Sequence, residues 1–149
     1  MASRVYTERR SLRLALEDYL SPLGWDVVYK EGWQSDATIT VPTVAITFLK
    51  WNKRALQMGD NNPHLFIRPV QIDCYMERED RAIGITDAIA DFMELVPIQI
   101  VDSNNNFLGN LICFDDSSIS ANLFPLLITA PNVLHWRGIT KGTYEAQYP

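Results

Sequence analysis

Cysteine occurs twice and histidine twice in 149 residues, too few and too scattered for a disulfide framework or a zinc site. Cys74 and Cys113 lie in apolar, strand-like runs and read as buried free thiols. Neither His64 nor His135 is followed three or four residues on by a ligand-type partner. Seven glycines are spread singly, with no glycine-rich phosphate loop and no G-x-S-x-G turn. No apolar run approaches the roughly 20 residues that span a bilayer. The opening MASRVYTERR has no apolar stretch before a cleavage site, so retention in the cytoplasm where the chain is made is the expectation. Cations are outnumbered, 13 against 18, for a net charge of -5. That balance argues against a surface built on many phosphate contacts, each of which needs a cation. No metal, cofactor or membrane contact is expected, and nothing points to an enzyme.

What is present is a folding pattern. Hydrophobic residues make up 47% and charged residues 21%, the balance of one globular domain with a core of its own. The chain is organised around residues 65 to 95. Val70, Ile72, Cys74 and Met76 alternate with polar Gln71, Asp73 and Glu77, a half-buried strand. The period then changes: Ala82, Ile85, Ile89, Phe92 and Val96 follow at helical steps, with Asp80, Asp87, Asp91 and Glu94 largely on the other side. The short connection folds this helix back over the apolar face of its own strand.

Before it, a helix from Thr7 carries Leu12, Leu16, Tyr19, Leu20 and Leu23 on one stripe and ends at Pro22 and Gly24. Trp25 to Lys30 alternates as a first strand, and residues 31 to 42 read as a loop, with or without a short edge strand ended by Pro42. Thr43 to Trp51 is a clearer strand, antiparallel to that from Phe66 to Met76 across a protruding loop, 52 to 64. After Pro97 come a strand from Ile98 to Val101, a polar turn of Asp102 to Asn106, and a partner strand from Phe107 to Phe114 with Gly109 marking a bulge. Asp115 to Ser118 resemble a helix start before Ile119, Leu123 and Phe124, the helix kept short by Pro125. Val133 to Tyr148 reads as a final strand or hairpin. The fold class is α+β, a mostly antiparallel sheet with two main helices packed on it.

Clusters that could carry chemistry have structural explanations. Glu77, Glu79 and Asp80 sit where a helix begins and negative charge is favoured. The arginines at 4, 9, 10 and 13, and the group Lys50, Lys53 and Arg54, read as solvated charges. The four tryptophans, Trp25, Trp33, Trp51 and Trp136, lie near strand ends and suit a core rim or an interface.

In order of elements, the N-terminal helix, PTVAITF, the long loop, RPVQIDCYM and RAIGITDAIADFM resemble the tail terminator proteins of tailed bacteriophages, with Arg68, Val70, Gln71, Ile72 and Asp73 in the places of an R-x-V-Q-I-D strand. The resemblance covers residues 7 to about 95 and, more weakly, LHWRGITKG. It implies a non-catalytic virion protein of the neck. Copies would form a homo-hexameric ring on the last ring of tail tube protein, stop tube growth and meet a head-side connector, with DNA only passing through the lumen. Residues 98 to 132 depart from that pattern, being longer and more apolar. The alternatives are another neck protein, such as a head-tail joining protein, and more distantly a small ligand-binding or enzymatic α+β domain. A ring needs two different complementary patches per subunit, and loops this long are commonly functional. Lys53, Arg54, Met58 and His64 are therefore the candidate contacts to a neighbour or to the tube. Deleting residues 56 to 62 is expected to abolish assembly, followed by native mass spectrometry, while leaving a folded monomer; unchanged assembly would refute that role.

Overall fold

The computed structural model describes residues 4–31, 40–48, 65–95, 98–114, 118–128 and 133–148. Two helices, α1 (Arg4–Leu20) and α2 (Glu79–Leu95), lie on a curled, mixed but mostly antiparallel sheet of seven strands. The strands are β1 (Val28–Glu31), β2 (Thr43–Phe48), β3 (Leu65–Met76), β4 (Ile98–Val101), β5 (Phe107–Phe114), β6 (Ser120–Ile128) and β7 (Val133–Gln147). Their order is β1-β2-β3-β7-β5-β4, with β6 also pairing β7.

The centre is the long pair β3 and β7, in register from Leu65 opposite Gln147 to Met76 opposite Trp136. Phe66, Val70, Ile72, Cys74 and Met76 face the helices and are buried, as the alternation requires. Ala82, Ile85, Ile89 and Phe92 of α2 meet that face, joined by Met93. Gly138 explains how close the helix comes. A Cβ there would overlap the Thr86 hydroxyl and lie 2.7 Å from the Cys74 sulfur, two groups that themselves sit 3.2 Å apart.

Each end of the sheet is finished differently. β1 pairs β2 in parallel, the one parallel contact among the described strands, so the chain must cross over between them. β1 also starts later than Trp25. The Trp25 ring is held under Arg81, 5.5 Å away, and against Gly84, and the Trp25 backbone N–H donates to the Leu20 carbonyl, so the ladder begins only at Val28. At the other end α1 closes the β4 edge. The Ser11 hydroxyl accepts from the Val101 N–H at 3.0 Å and donates to the Thr7 carbonyl at 2.8 Å, occupying a backbone donor that would otherwise face solvent.

The turn between β4 and β5 forms as its residues dictate. Asp102 Oδ1 accepts from the N–H groups of Asn104 and Asn106, and Asn105 takes a left-handed φ of 62°. These hydrogen bonds, led by Asn106, hold the Asp102 carboxyl below its ordinary value. The β4/β5 register slips beside Gly109, the expected bulge.

Three expectations are corrected. α1 begins at Arg4 rather than Thr7, and Leu23 is 57% exposed because a 3-10 turn, Ser21–Leu23, carries it off the buried stripe before Gly24 reverses the chain at φ 91°. The stretch around Ile119 to Phe124 is not a short helix but most of β6, with Pro125 opposite Trp136. β6 has β7 as its only described partner, and proline is tolerated on a strand whose other side needs no donor. The polar face of β2 and β3 is not fully solvated: Thr43, Ala45, Asp73 and Tyr75 are all buried.

Gly138→Ala is expected to lower stability by about 1–3 kcal/mol through overpacking, read as an earlier midpoint in urea unfolding. A midpoint equal to wild type would show that α2 can move away from β7.

Candidate functional site

α1 repeats its buried positions every four residues, and the stripe of Leu12, Leu16 and Leu20 continues backwards to Glu8. Glu8 is fully buried. An unpaired carboxylate there would be very costly, so it must be met by donors. Arg68 supplies two, Nε to Oε1 at 2.9 Å and Nη2 to Oε2 at 3.2 Å. Register places Tyr144 directly opposite Arg68, and its hydroxyl donates to Oε1 at 2.8 Å. The Tyr148 hydroxyl donates to Oε2 at 2.5 Å. Arg4, one turn before Glu8, stacks its guanidinium over the rings of Phe66 and Tyr148, 5.1 and 4.6 Å from their centroids.

Each carboxylate oxygen thus accepts two hydrogen bonds, which uses the oxygens' capacity. A general base needs a free lone pair facing a substrate, and this carboxylate has none. Burial, then Glu8, raises the Tyr144 phenol well above its ordinary value, and the same two causes raise Tyr148. Neither phenol is poised to release a proton near neutrality. The cluster can pin α1 to the ends of β3 and β7; it cannot do proton chemistry.

A second polar group lies on the opposite face. Asp73 is fully buried, accepts from the Gln71 amide at 2.9 and 3.1 Å, and sits 3.4 Å from an Arg137 guanidinium nitrogen. Burial pushes its carboxyl up, against the pull of Arg137, Gln71 and Lys141. Arg137 is also 5.5 Å from the centroid of the Tyr75 ring, so cation, amide and carboxylate bind one another within the sheet.

Two surface features remain. Between α1, the C-terminal part of α2 and β4 lies a groove of about 510 Å³, walled by Leu14, Ala15, Tyr19, Phe92 and Ile98 with Asp18 and Gln99 among its polar lining. At the far end of β7, residues Val133 to His135 pair only with β6 among the described strands, beyond the last β3 contact at Trp136. Leu134 on this arm is 48% exposed, and Phe124, opposite Arg137 inside the sheet, is 47% exposed.

Lys53, Arg54, Met58 and His64 lie outside the described residues, as do Trp33, Trp51 and the acidic pair Asp115 and Asp116. The N-terminal arginines do not form one solvated patch: Arg10 donates to the Asp102 carbonyl, Arg13 pairs with Glu17, and Arg4 is stacked on aromatic rings. Glu79 and Asp80 occupy the first turn of α2, Asp80 paired with Arg78, and Glu77 precedes it, paired with Arg81. Cys74 is buried and free, its thiol pushed up by burial. Among the described residues no group of acidic, histidine or cysteine side chains could hold a metal, and no helix is long and apolar enough to cross a membrane. No protein-family model and no curated protein matches the chain.

Glu8→Ala is expected to cost about 3–5 kcal/mol, because it strands a buried arginine, whereas Glu8→Leu combined with Arg68→Met recovers most of that loss. Equal losses from the single and double substitutions would contradict a pairing role. In alkali, unfolded tyrosines lose their protons near pH 10 while the folded chain holds those of Tyr144, Tyr148 and Tyr29, the last pushed up to about 12 by burial and then by Glu17. The folded state then binds more protons than the unfolded, so stability is intact below about pH 10 and falls above it, as urea titrations across that range would record.

Proposed function

We propose that this chain is a structural subunit of a tailed-phage neck, a tail terminator whose copies close into a ring, expected to be hexameric. In this reading the ring sits on the last layer of tail tube protein, stops its growth and offers its other side to the head connector. The protein belongs to the virion, assembled from copies made in the host cytoplasm, and DNA passes through the lumen without being gripped. The observation that carries the reading is the order of elements on one sheet. Helix, strand, long connection, R-x-V-Q-I-D strand and immediate helix follow one another as the resemblance implies, in an α+β fold with a mostly antiparallel sheet.

The chemistry of the interior supports a scaffold. Glu8, the buried carboxylate best placed to act, is saturated by four donors from Arg68, Tyr144 and Tyr148. The surplus of acidic residues suits a ring that lets DNA slide past, since like charges repel at short range. One feature favours a second reading, a small ligand-binding domain: the groove beside α1 combines apolar walls with a few polar groups.

Native mass spectrometry over a range of concentrations, with negative-stain images of the largest species, is expected to show a closed ring, alone or once tail tubes are added. Purified tubes should stop elongating in its presence. A chain that neither closes nor caps tubes would refute the terminator reading. Retention on filled heads instead of free tails would move it to a head-side neck protein, and a thermal shift with a small metabolite would favour the pocket.

A further inference from the structure

We propose that the free edge of β6 pairs with the same edge of a second copy, antiparallel about a two-fold axis through Asn122. This goes beyond the neck-ring reading and does not depend on it, since a two-fold edge contact joins two subunits or two rings and needs no tail component.

A strand edge presents a row of N–H and C=O groups that another strand can pair with, so folded chains usually blunt it. Two edges of this sheet are blunted. α1 lies along β4, where the Ser11 hydroxyl accepts from the Val101 N–H, and β1 is only four residues long and carries Lys30 and Glu31. β6 differs from both: it runs for nine residues with β7 as its one partner among the described strands. From Ser117 to Trp136 the sequence has no Asp, Glu, Lys or Arg, and Ser120, Ala121, Asn122, Phe124 and Pro125 are exposed.

Register shows which backbone groups are open. The Thr143 N–H donates to the Ser118 hydroxyl at 2.8 Å, so the odd-numbered residues of β7 direct their backbone towards β6. In the unbroken β6/β7 ladder those residues stand opposite Ser120, Asn122 and Phe124, which therefore bond to β7. Ala121, Leu123 and Pro125 point the other way. Proline, which has no N–H, thus falls at an outward position where β7 requires no donor. The open edge offers N–H and C=O at Ala121 and Leu123, and a carbonyl alone at Pro125.

Those groups fit a second copy of themselves. With Asn122 on the axis, Ala121 of each copy lies opposite Leu123 of the other, and each such pair exchanges two bonds. Both donors before Pro125 then meet acceptors, and Pro125 lies beyond them on either strand. Centring the pair on Ala121 instead would draw in Ile119, which is half-buried against the core.

Side chains favour the same occupant. The strand is neutral, so two chains of net charge -5 meet there without like charges opposed. On the face away from the helices Asn122 stands beside its counterpart, amide to amide, and Phe124, 47% exposed, lies across from the other copy's Ser120. On the helix side the other copy's Leu123 lies next to Ala121, at a cleft of about 160 Å³ between β6 and α2 whose wall includes Ile83, 45% exposed. Main-chain bonds with a pocket for alternate side chains are the means by which added strands are held.

The test uses the full chain. Asn122→Lys sets two cations against each other on the axis and is expected to weaken self-association several-fold, read by sedimentation over a dilution series, with thermal unfolding unchanged. Asn122→Cys places two thiols within bridging distance. It is expected to give a disulfide-linked dimer on mild oxidation, whereas Ser120→Cys, which faces Phe124 of the other copy, stays largely unlinked; the wild type, with Cys74 and Cys113 in place, sets the background. A wild type that does not self-associate, equal linking at 120 and 122, or an edge that pairs only when tail tubes are added overturns the two-fold contact. Rings that form while Asn122→Cys stays unlinked overturn it and leave the ring reading standing. Linked pairs in a chain that neither closes nor caps tubes do the reverse.

Discussion

A carboxylate removed from water on the inner stripe of α1 constrains everything around it. Glu8 is tolerable only because a two-pronged guanidinium and two phenols reach it, and those donors come from β3, β7 and the residue just after β7. Helix, central strand and C-terminal strand are thereby held in one geometry. A leucine at that place would add burial without direction, since apolar contacts tolerate rotation and sliding. The four-donor carboxylate tolerates neither, because any shift leaves a buried charge short of donors.

The same economy of polar groups recurs across the molecule. Asp73 is held by Gln71 and Arg137 within the sheet, the Ser11 hydroxyl occupies the edge of β4, and Asp102 organises its turn. In each case a side chain satisfies a neighbour's donor or acceptor. Such a molecule is well suited to be a rigid part.

Much of this was legible from residue types. The alternation from Val70 to Met76 and the helical spacing from Ala82 to Phe92 placed the strand, the helix and their shared face, because period and burial are the same information on an amphipathic element. Asn104 to Asn106 and Gly109 located a turn and a bulge through backbone preferences that are local. The Glu8 cluster left a fainter trace. Glu8 falls four residues before Leu12, and Arg68 two before Val70, so each charge stands where its element's apolar face continues. Opposite charges on two buried faces are a signal for a pair, but only for a reader who counts the stripe past its last leucine.

The amino-acid sequence by itself determined the period of each main element, the face it would bury and the positions where the chain must turn, since these depend on neighbours a few residues away. Pairing across the sheet was decided only by the tertiary structure. The parallel contact of β1 with β2, the burial of Asp73, and the choice of strand over helix for Ser120 to Ile128 depend on partners far along the chain. β6 is the clearest case: Ala121, Leu123 and Phe124 fit a short helix or a strand equally well on local grounds. The ladder that β7 offers from Val133 to Lys141 settles it, because nine consecutive paired residues outweigh a helix that Pro125 would have ended almost at once.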